Sequence, residues 1–168
     1  MEISTWQGRH VYVVGGADGA VKEALYLAKY ASKVTIIHFE EKLGCIAEFQ
    51  EKVSRMPNIE LRLRSRLHAV YGVDQVESLE ISDEKTGAIE MIEDPGCGIF
   101  VYAGTVPNTE LYQALELQDG FIPADEHMET KIRGVYAAGD IRVKEVRQVA
   151  TAVADGTIAA VHAAQQIK

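Results

Sequence analysis

Cysteine is nearly absent from this 168-residue chain, which has two, Cys45 and Cys97, far apart and in no Cys-x-x-Cys spacing. A catalytic dithiol needs its Cβ atoms within about 4 Å, normally secured by close spacing at a helix start, so no such pair is legible here. Two unpaired thiols suit a reducing compartment. No apolar run approaches the roughly 20 residues that span a bilayer, and the opening MEISTWQGRH lacks a signal peptide's apolar core. A cytoplasmic location with no membrane partner is the expectation. Basic charge is in deficit, with 17 Lys and Arg against 25 Asp and Glu and a formal net charge of −8, which argues against a nucleic-acid surface. His10, His68, His127 and His162 show no ligand spacing with His38 or with the cysteines, so no metal site is expected.

What is present is patterned. At 47% hydrophobic and 25% charged residues, the chain can bury a sizeable core, and its length suggests one domain or slightly more. An apolar strand is predicted over 9–14, then a helix over 20–31 with Val21, Ala24, Leu25, Ala28 and Ala31 on one face. A second strand covers 34–39, and a helix over 46–55 stops before Pro57. Residues 59–64 alternate Ile59, Leu61 and Leu63 inward with Glu60, Arg62 and Arg64 outward, as a half-exposed strand does. Strands over 75–82 and 88–93 flank the turn at 83–87 (DEKTG) and read as a hairpin.

Pro95-Gly96-Cys97-Gly98 is the clearest break and predicts a domain boundary, with one domain at 1–98 and a second at 99–168. The second begins with a strand over 99–102, followed by an amphipathic piece near 110–117 and strands near 121–123 and over 135–138. A helix over 146–167 ends the chain, its apolar face made of Val149, Ala152, Val153, Gly156, Ile158, Ala160 and Val161. The class is α/β: a Rossmann-like nucleotide-binding domain of parallel sheet plus β-meander, then a smaller lobe.

The turn after the first strand carries the nucleotide signal. In a strand-turn-helix of this kind one glycine makes the tight turn, a second lets pyrophosphate touch backbone, and a small third residue lets helix pack on strand. Those positions are Gly15, Ala17 and Ala20, with Gly16, Asp18 and Gly19 between them. Ala17 adds a methyl where glycine is usual, while the helix N-terminus still offers N–H groups to an anion. After the second strand come His38, Phe39, Glu40, Glu41 and Lys42. Two carboxylates repel a 2′-phosphate, whereas an acidic residue there accepts a hydrogen bond from an unmodified ribose. The choice lies between NADH and no nicotinamide nucleotide. Each residue also has a plainer role: Asp18 as a helix cap, Glu23 as a dipole partner, His38 as a strand-end histidine.

The tail, GVYAAGD over 134–140 and RQVATA over 147–152, delivers a carboxylate to a strand end beside small residues. It closely resembles the flavin-contacting signature of low-molecular-weight thioredoxin reductases. Residues 11–27 (VYVVGGADGAVKEALYL), 33–38 (KVTIIH), 100–109 (FVYAGTVPNT) and 125–130 (DEHMET) resemble further blocks of that family in its order. The resemblance implies that Gly139, Asp140, Arg147, Gln148 and Val149 face FAD, and that Glu23 lies toward the nicotinamide. It also implies electron flow from a donor through FAD to a Cys-x-x-Cys dithiol and then to thioredoxin, in a homo-oligomer. This chain resembles the family's C-terminal portion, which implies an NAD(P)H-binding-type domain over 1–98 and the C-terminal segment of the FAD-binding domain over 99–168, without the adenosine-binding half of the flavin site and without the dithiol, so by itself it is expected to be inactive and unable to hold FAD. Ala17 and the lack of arginines after His38 also resemble a ferredoxin-linked subtype that does not use NAD(P)H. Two other readings stay open: a nucleotide-binding or docking module without chemistry, and a structural remnant.

Overall fold

A computed structural model describes residues 3–167, which fall into two compact units divided between Gly104 and Thr105. In the first, a parallel sheet is made of β1 (His10–Val14), β2 (Lys33–His38), β3 (Ile59–Leu63) and, much later in the chain, a short strand at Gly98–Val101. Val11, Val13, Val34 and Ile36 are fully buried and meet α1 (Asp18–Leu27) and α2 (Ala47–Ser54) through Ala20, Val21, Ala24 and Val53. Each such valine or isoleucine contributes about 1.5–3 kcal/mol by leaving water.

The opposite face of the parallel sheet, with Tyr12 and Ile37, packs on Leu79 and Ile81 of a three-stranded antiparallel sheet. That sheet is β4 (Ser65–Tyr71), β5 (Ser78–Asp83) and β6 (Ile89–Glu93), paired in that order. The unit is therefore three layers, helices on parallel sheet on antiparallel sheet, and burial on both faces is why β1 and β2 read as near-continuous apolar runs.

Two expectations for the first unit need correction. The strand foreseen at 99–102 as the start of the second lobe is β7 (Gly98–Val101), paired in parallel with β1 from Val11↔Gly98 to Val14↔Val101. It completes the sheet order β3-β2-β1-β7, and the chain leaves the first unit only after Gly104. The turn residues at 95–98 return the chain from β6 to β7 within one unit. The β3 alternation is also weaker than its pattern, because Leu61 stays exposed on the edge strand of the sheet. Strand β4 had no signal: Arg64, at φ 51, bends one extended run out of the parallel sheet and into the antiparallel one.

The second unit has little regular structure. Glu110–Leu115 is a 3₁₀ segment, and α3 (Val149–Gln166) is the one long helix. The strands expected near 121–123 and over 135–138 are reduced to isolated bridges, Ile122↔Arg142 and Glu129↔Tyr136. Leu115, Ile122 and Ala137 form a small core. Of α3 only Asp155 and Ala159 are buried, and its apolar residues Val149, Val153, Ile158 and Val161 remain exposed.

Candidate functional site

In the first unit a cleft of about 340 Å³ opens where β1, β2 and β7 end, lined by the glycine turn, His38, Phe39, Arg66 and Tyr102. Strand β1 has β2 on one side and β7 on the other, so this is the topological switch point at which open α/β sheets bind ligands. Gly15 adopts φ +133, and a Cβ there would stand 2.5 Å from the Tyr102 carbonyl oxygen. A Cβ on Gly16 would fall 2.5 Å from the His38 ring. Both positions are closed to any side chain.

Ala17 is exposed, in ordinary extended geometry at φ −80 and ψ 174, so its methyl needs no backbone shift. Asp18 does not cap its own helix. Its carboxylate accepts the Ile46 N–H at 2.9 Å, tying the start of α1 to the entry of α2. Gly19 lies in the first turn of α1 near the Tyr102 ring, and Ala20 is buried against the sheet. Glu23, on the next turn, lies beside Tyr102, whose phenol is pushed up first by burial and then by that carboxylate.

His38 is buried; its Nε2 lies 3.2 Å from a Glu40 carboxylate oxygen, and its Nδ1 is enclosed without a partner among the described residues. Glu41 pairs with Arg64 at 2.9 Å. Arg66 escaped sequence reasoning: it comes from β4, 27 residues beyond Phe39, yet its guanidinium carbon lies 4.5 Å from the centre of the Phe39 ring. No local pattern marks such a pairing.

In the second unit the motif residues do converge. Gly139 is buried at φ +84, and the Asp140 backbone carbonyl accepts from Arg147 Nε at 3.4 Å. Asp140 is exposed, and its carboxylate makes no hydrogen bond among the described residues. Arg147 lies 4.1 Å over the Phe121 ring. Gln148 precedes α3 with its N–H on Thr151 Oγ1 at 3.1 Å, and Val149, 81% exposed, opens the helix.

Asp155 organises this turn and was missed. It accepts the Gly139 N–H at 3.0 Å, Arg142 Nε at 2.8 Å and Lys144 Nζ at 2.6 Å. Hydrogen bonds from Arg142 hold its carboxyl well below the usual range; burial opposes them, and Lys144 and the Gly139 amide add to them. The available signal was an aspartate amid alanine and valine on the last helix, with Arg142 and Lys144 just after Asp140.

Cys45 belongs to the helix-side core and Cys97 to the core between the sheets, so the parallel sheet separates them. Burial raises both thiols, Cys97 to about 11.

The sequence profile of the family described as "Pyridine nucleotide-disulphide oxidoreductase" matches residues 3–156. The chain is 41% identical over 169 residues to a thioredoxin reductase of Peptoclostridium acidaminophilum, covering 97% of this chain and 54% of that protein. With a thioredoxin reductase of Bacillus subtilis it shares 35% over 158 residues, 92% of this chain and 49% of the relative. The structure of Lactococcus lactis thioredoxin reductase superposes with a TM-score of 0.83 at 34% identity, over 97% of this chain and 54% of that one. That of T. acidophilum thioredoxin reductase gives 0.81 at 28%, over 99% and 55%. The chain spans about half the length of the curated relatives it matches.

Proposed function

The chain belongs to the pyridine nucleotide-disulphide oxidoreductases, and from that premise we propose that it is the donor-side portion of a thioredoxin-reductase-like flavoprotein. In this reading the first unit binds a nicotinamide nucleotide, and the stretch from Thr105 onward is the C-terminal part of an FAD-binding domain. The observation that carries it is the open cleft at the strand ends, floored by Gly15, Gly16 and the N-terminus of α1. Free N–H groups at that helix start favour a pyrophosphate.

Glu40, and beside it Glu41, face the end of β2 with negative charge, so NADH is preferred to NADPH. His38 holds the Glu40 carboxylate in place. On the flavin side Asp140 offers an unengaged carboxylate beside a glycine that no bulkier residue can replace without strain. Gln148 and Val149 open α3, whose start meets the same turn through Arg147 on the Asp140 carbonyl and Ala152 beside Gly139. A nicotinamide nucleotide held by the glycine turn and the start of α1 would supply a hydride, and a flavin held at Asp140 would take it up for two-electron reduction of a dithiol. Cys45 and Cys97 cannot be that dithiol, so it lies outside these residues, and thioredoxin is the disulfide that it reduces. Self-association into a homo-oligomer belongs to the same reading.

A second reading has ferredoxin in place of a nicotinamide nucleotide; Ala17 and the carboxylates after His38 favour it. Calorimetric titration with NADH and NADPH in parallel decides between them. Saturable NADH binding well above NADPH supports the first reading, and absence of both with binding of reduced ferredoxin supports the second.

A further inference from the structure

In the antiparallel layer, strand β6 has a hydrogen-bonded neighbour on one side only among the described residues, because the sheet runs β4-β5-β6. The Asp83 N–H donates to the Ala88 carbonyl and the Asp94 N–H to the Glu77 carbonyl, and between them the register is regular, with Ile81 opposite Glu90 and Leu79 opposite Ile92. Antiparallel pairing alternates, so Ala88, Glu90 and Ile92 turn their backbone groups to β5, while Ile89, Met91 and Glu93 turn theirs to the open edge. The side chains of those three stand on the outer face of the sheet, where Ile89 is 53% and Met91 51% exposed. On the inner side a slot of about 370 Å³ lies between β6 and β3, the edge strand of the parallel sheet, lined by Leu61, Leu63, Ile81, Asp83 and Glu90. Charge along the edge has one sign. Strand β6 carries two glutamates and no base, and Asp94 follows it. Arg62 pairs with Glu90, whereas the Glu93 carboxylate has no partner among the described residues. Glu80, opposite Met91, is met by the Tyr71 hydroxyl and by His68 at 3.9 Å.

We infer that the β6 edge is a docking site for an extended segment of another protein in which apolar and basic residues alternate. The segment continues the antiparallel sheet by one strand, pairing its backbone with the outward N–H and C=O groups of Ile89, Met91 and Glu93. Its apolar side chains enter the slot over Leu61, Leu63 and Ile81. Its lysines or arginines lie on the outer face, with their stems over Ile89 and Met91 and their charges at Glu93 and Glu80. The same carboxylates exclude a second copy of this chain, since antiparallel self-pairing sets Glu90 and Glu93 of both copies along one seam, and like charges facing across strands oppose pairing. Guarding an edge against aggregation takes charge alone; exposed Ile89 and Met91 with an apolar slot beside them work against that end.

The test is fluorescence anisotropy of a labelled Lys-Val-Lys-Val-Lys-Val-Lys peptide against the full chain, with amide exchange to locate it. A Glu-Val peptide of the same length tests the charge. A Lys-Pro peptide of the same charge tests the pairing, since proline donates no ladder bond. Saturable binding of the Lys-Val peptide is expected, with slowed exchange at the Ile89, Met91 and Glu93 amides and an affinity about ten-fold or more above both controls. Met91→Pro removes an outward N–H without touching the β5 ladder and should weaken binding about ten-fold. Glu93→Gln should weaken it about three-fold and flatten its salt dependence. Circular dichroism melts check that both variants fold, and Glu93→Gln decides the matter if Met91→Pro does not. The inference is overturned if the Lys-Val peptide fails to saturate, if either control binds equally well, if protection falls elsewhere than on β6, or if the folded variants bind like the parent. It is overturned also if sedimentation shows a dimer that Met91→Pro makes monomeric, because the occupant of the edge is then a second copy.

Discussion

Asp155→Asn tests whether the second unit hangs on one carboxylate. The side chain is 8% exposed and shares its two oxygens among Arg142, Lys144 and the Gly139 amide, with Lys144 itself 9% exposed. Removing one member of a buried ion cluster costs about 3–5 kcal/mol, because the remaining charges lose their compensation while still shut off from water. Asparagine keeps an acceptor for the Gly139 N–H but not the charge, so about 2–4 kcal/mol is expected here. With a core as small as Leu115, Ile122 and Ala137, that is a large share of what the unit can have. Urea denaturation followed by circular dichroism reads the loss, and amide exchange at Gly139 locates it. Replacing the whole cluster with Arg142→Met, Lys144→Met and Asp155→Leu should restore much of the stability, as buried ion clusters often tolerate apolar substitution. The depressed carboxyl adds a pH signature: its contribution is complete above the 3.8 of a free aspartate and is lost as pH falls through the lower folded value. Unchanged unfolding in Asp155→Asn, with Gly139 still protected from exchange, refutes the reasoning.

Gly15→Ala should destabilise the first unit by about 2 kcal/mol or more, since it combines a positive φ with a Cβ pressed on backbone, and thermal melting reads this. Gly16→Ala should be comparably damaging yet partly rescued by His38→Ala, which removes the ring that the new methyl would strike; a double-mutant cycle measures the coupling. His10 titrates below its ordinary 6.5, chiefly through burial, with Asp94 opposing. Stability from this group is thus full above pH 6.5 and declines as pH falls toward the lower folded value, so the urea midpoint should drop between pH 8 and pH 5.5, and less so in His10→Asn. Cys97, pushed up to about 11, should resist a thiol-specific chromogenic disulfide at pH 8 in the native protein and react at once in urea.

The layers around β1 and β2 were legible because their residues are local and extreme: Val11 to Val14 and Val34 to Ile37 put bulky or β-branched residues on both faces, and Ala20, Val21 and Ala24 recur at helical spacing. The hairpin of β5 and β6 was legible from its turn. What failed was decided by long-range pairing. Gly98–Val101 is a strand by any local reading, but its sheet is set by the vacant edge of β1, 87 residues earlier in register at Val11↔Gly98. Residues 135–138 have strand composition and no neighbour to make them one, so a single bridge at Tyr136 is all that forms. At the candidate site the turn and the Ala-Gly-Asp signature were visible as short motifs. Arg66 and Asp155 were not, since each matters through a partner many residues away.

The glycines themselves report something other than room for a ligand. Gly15 is required by the Tyr102 carbonyl and Gly16 by the His38 ring, while the Gly139 amide is spent on Asp155. In each case the missing side chain, or the freed N–H, serves the protein's own packing. A glycine-rich turn after a strand is therefore weak evidence for a nucleotide unless the groups around it leave something unsatisfied. Here they do, in two places: Phe39 is half exposed in a cleft that Arg66 only partly roofs, and the Asp140 carboxylate stands in solvent at the end of a turn held rigid by a buried ion cluster. Neither arrangement improves stability, since an exposed ring forgoes burial and an unengaged carboxylate contributes no bond. Side chains left open beside fixed backbone are what a ligand would exploit, and they carry the weight of the functional reading.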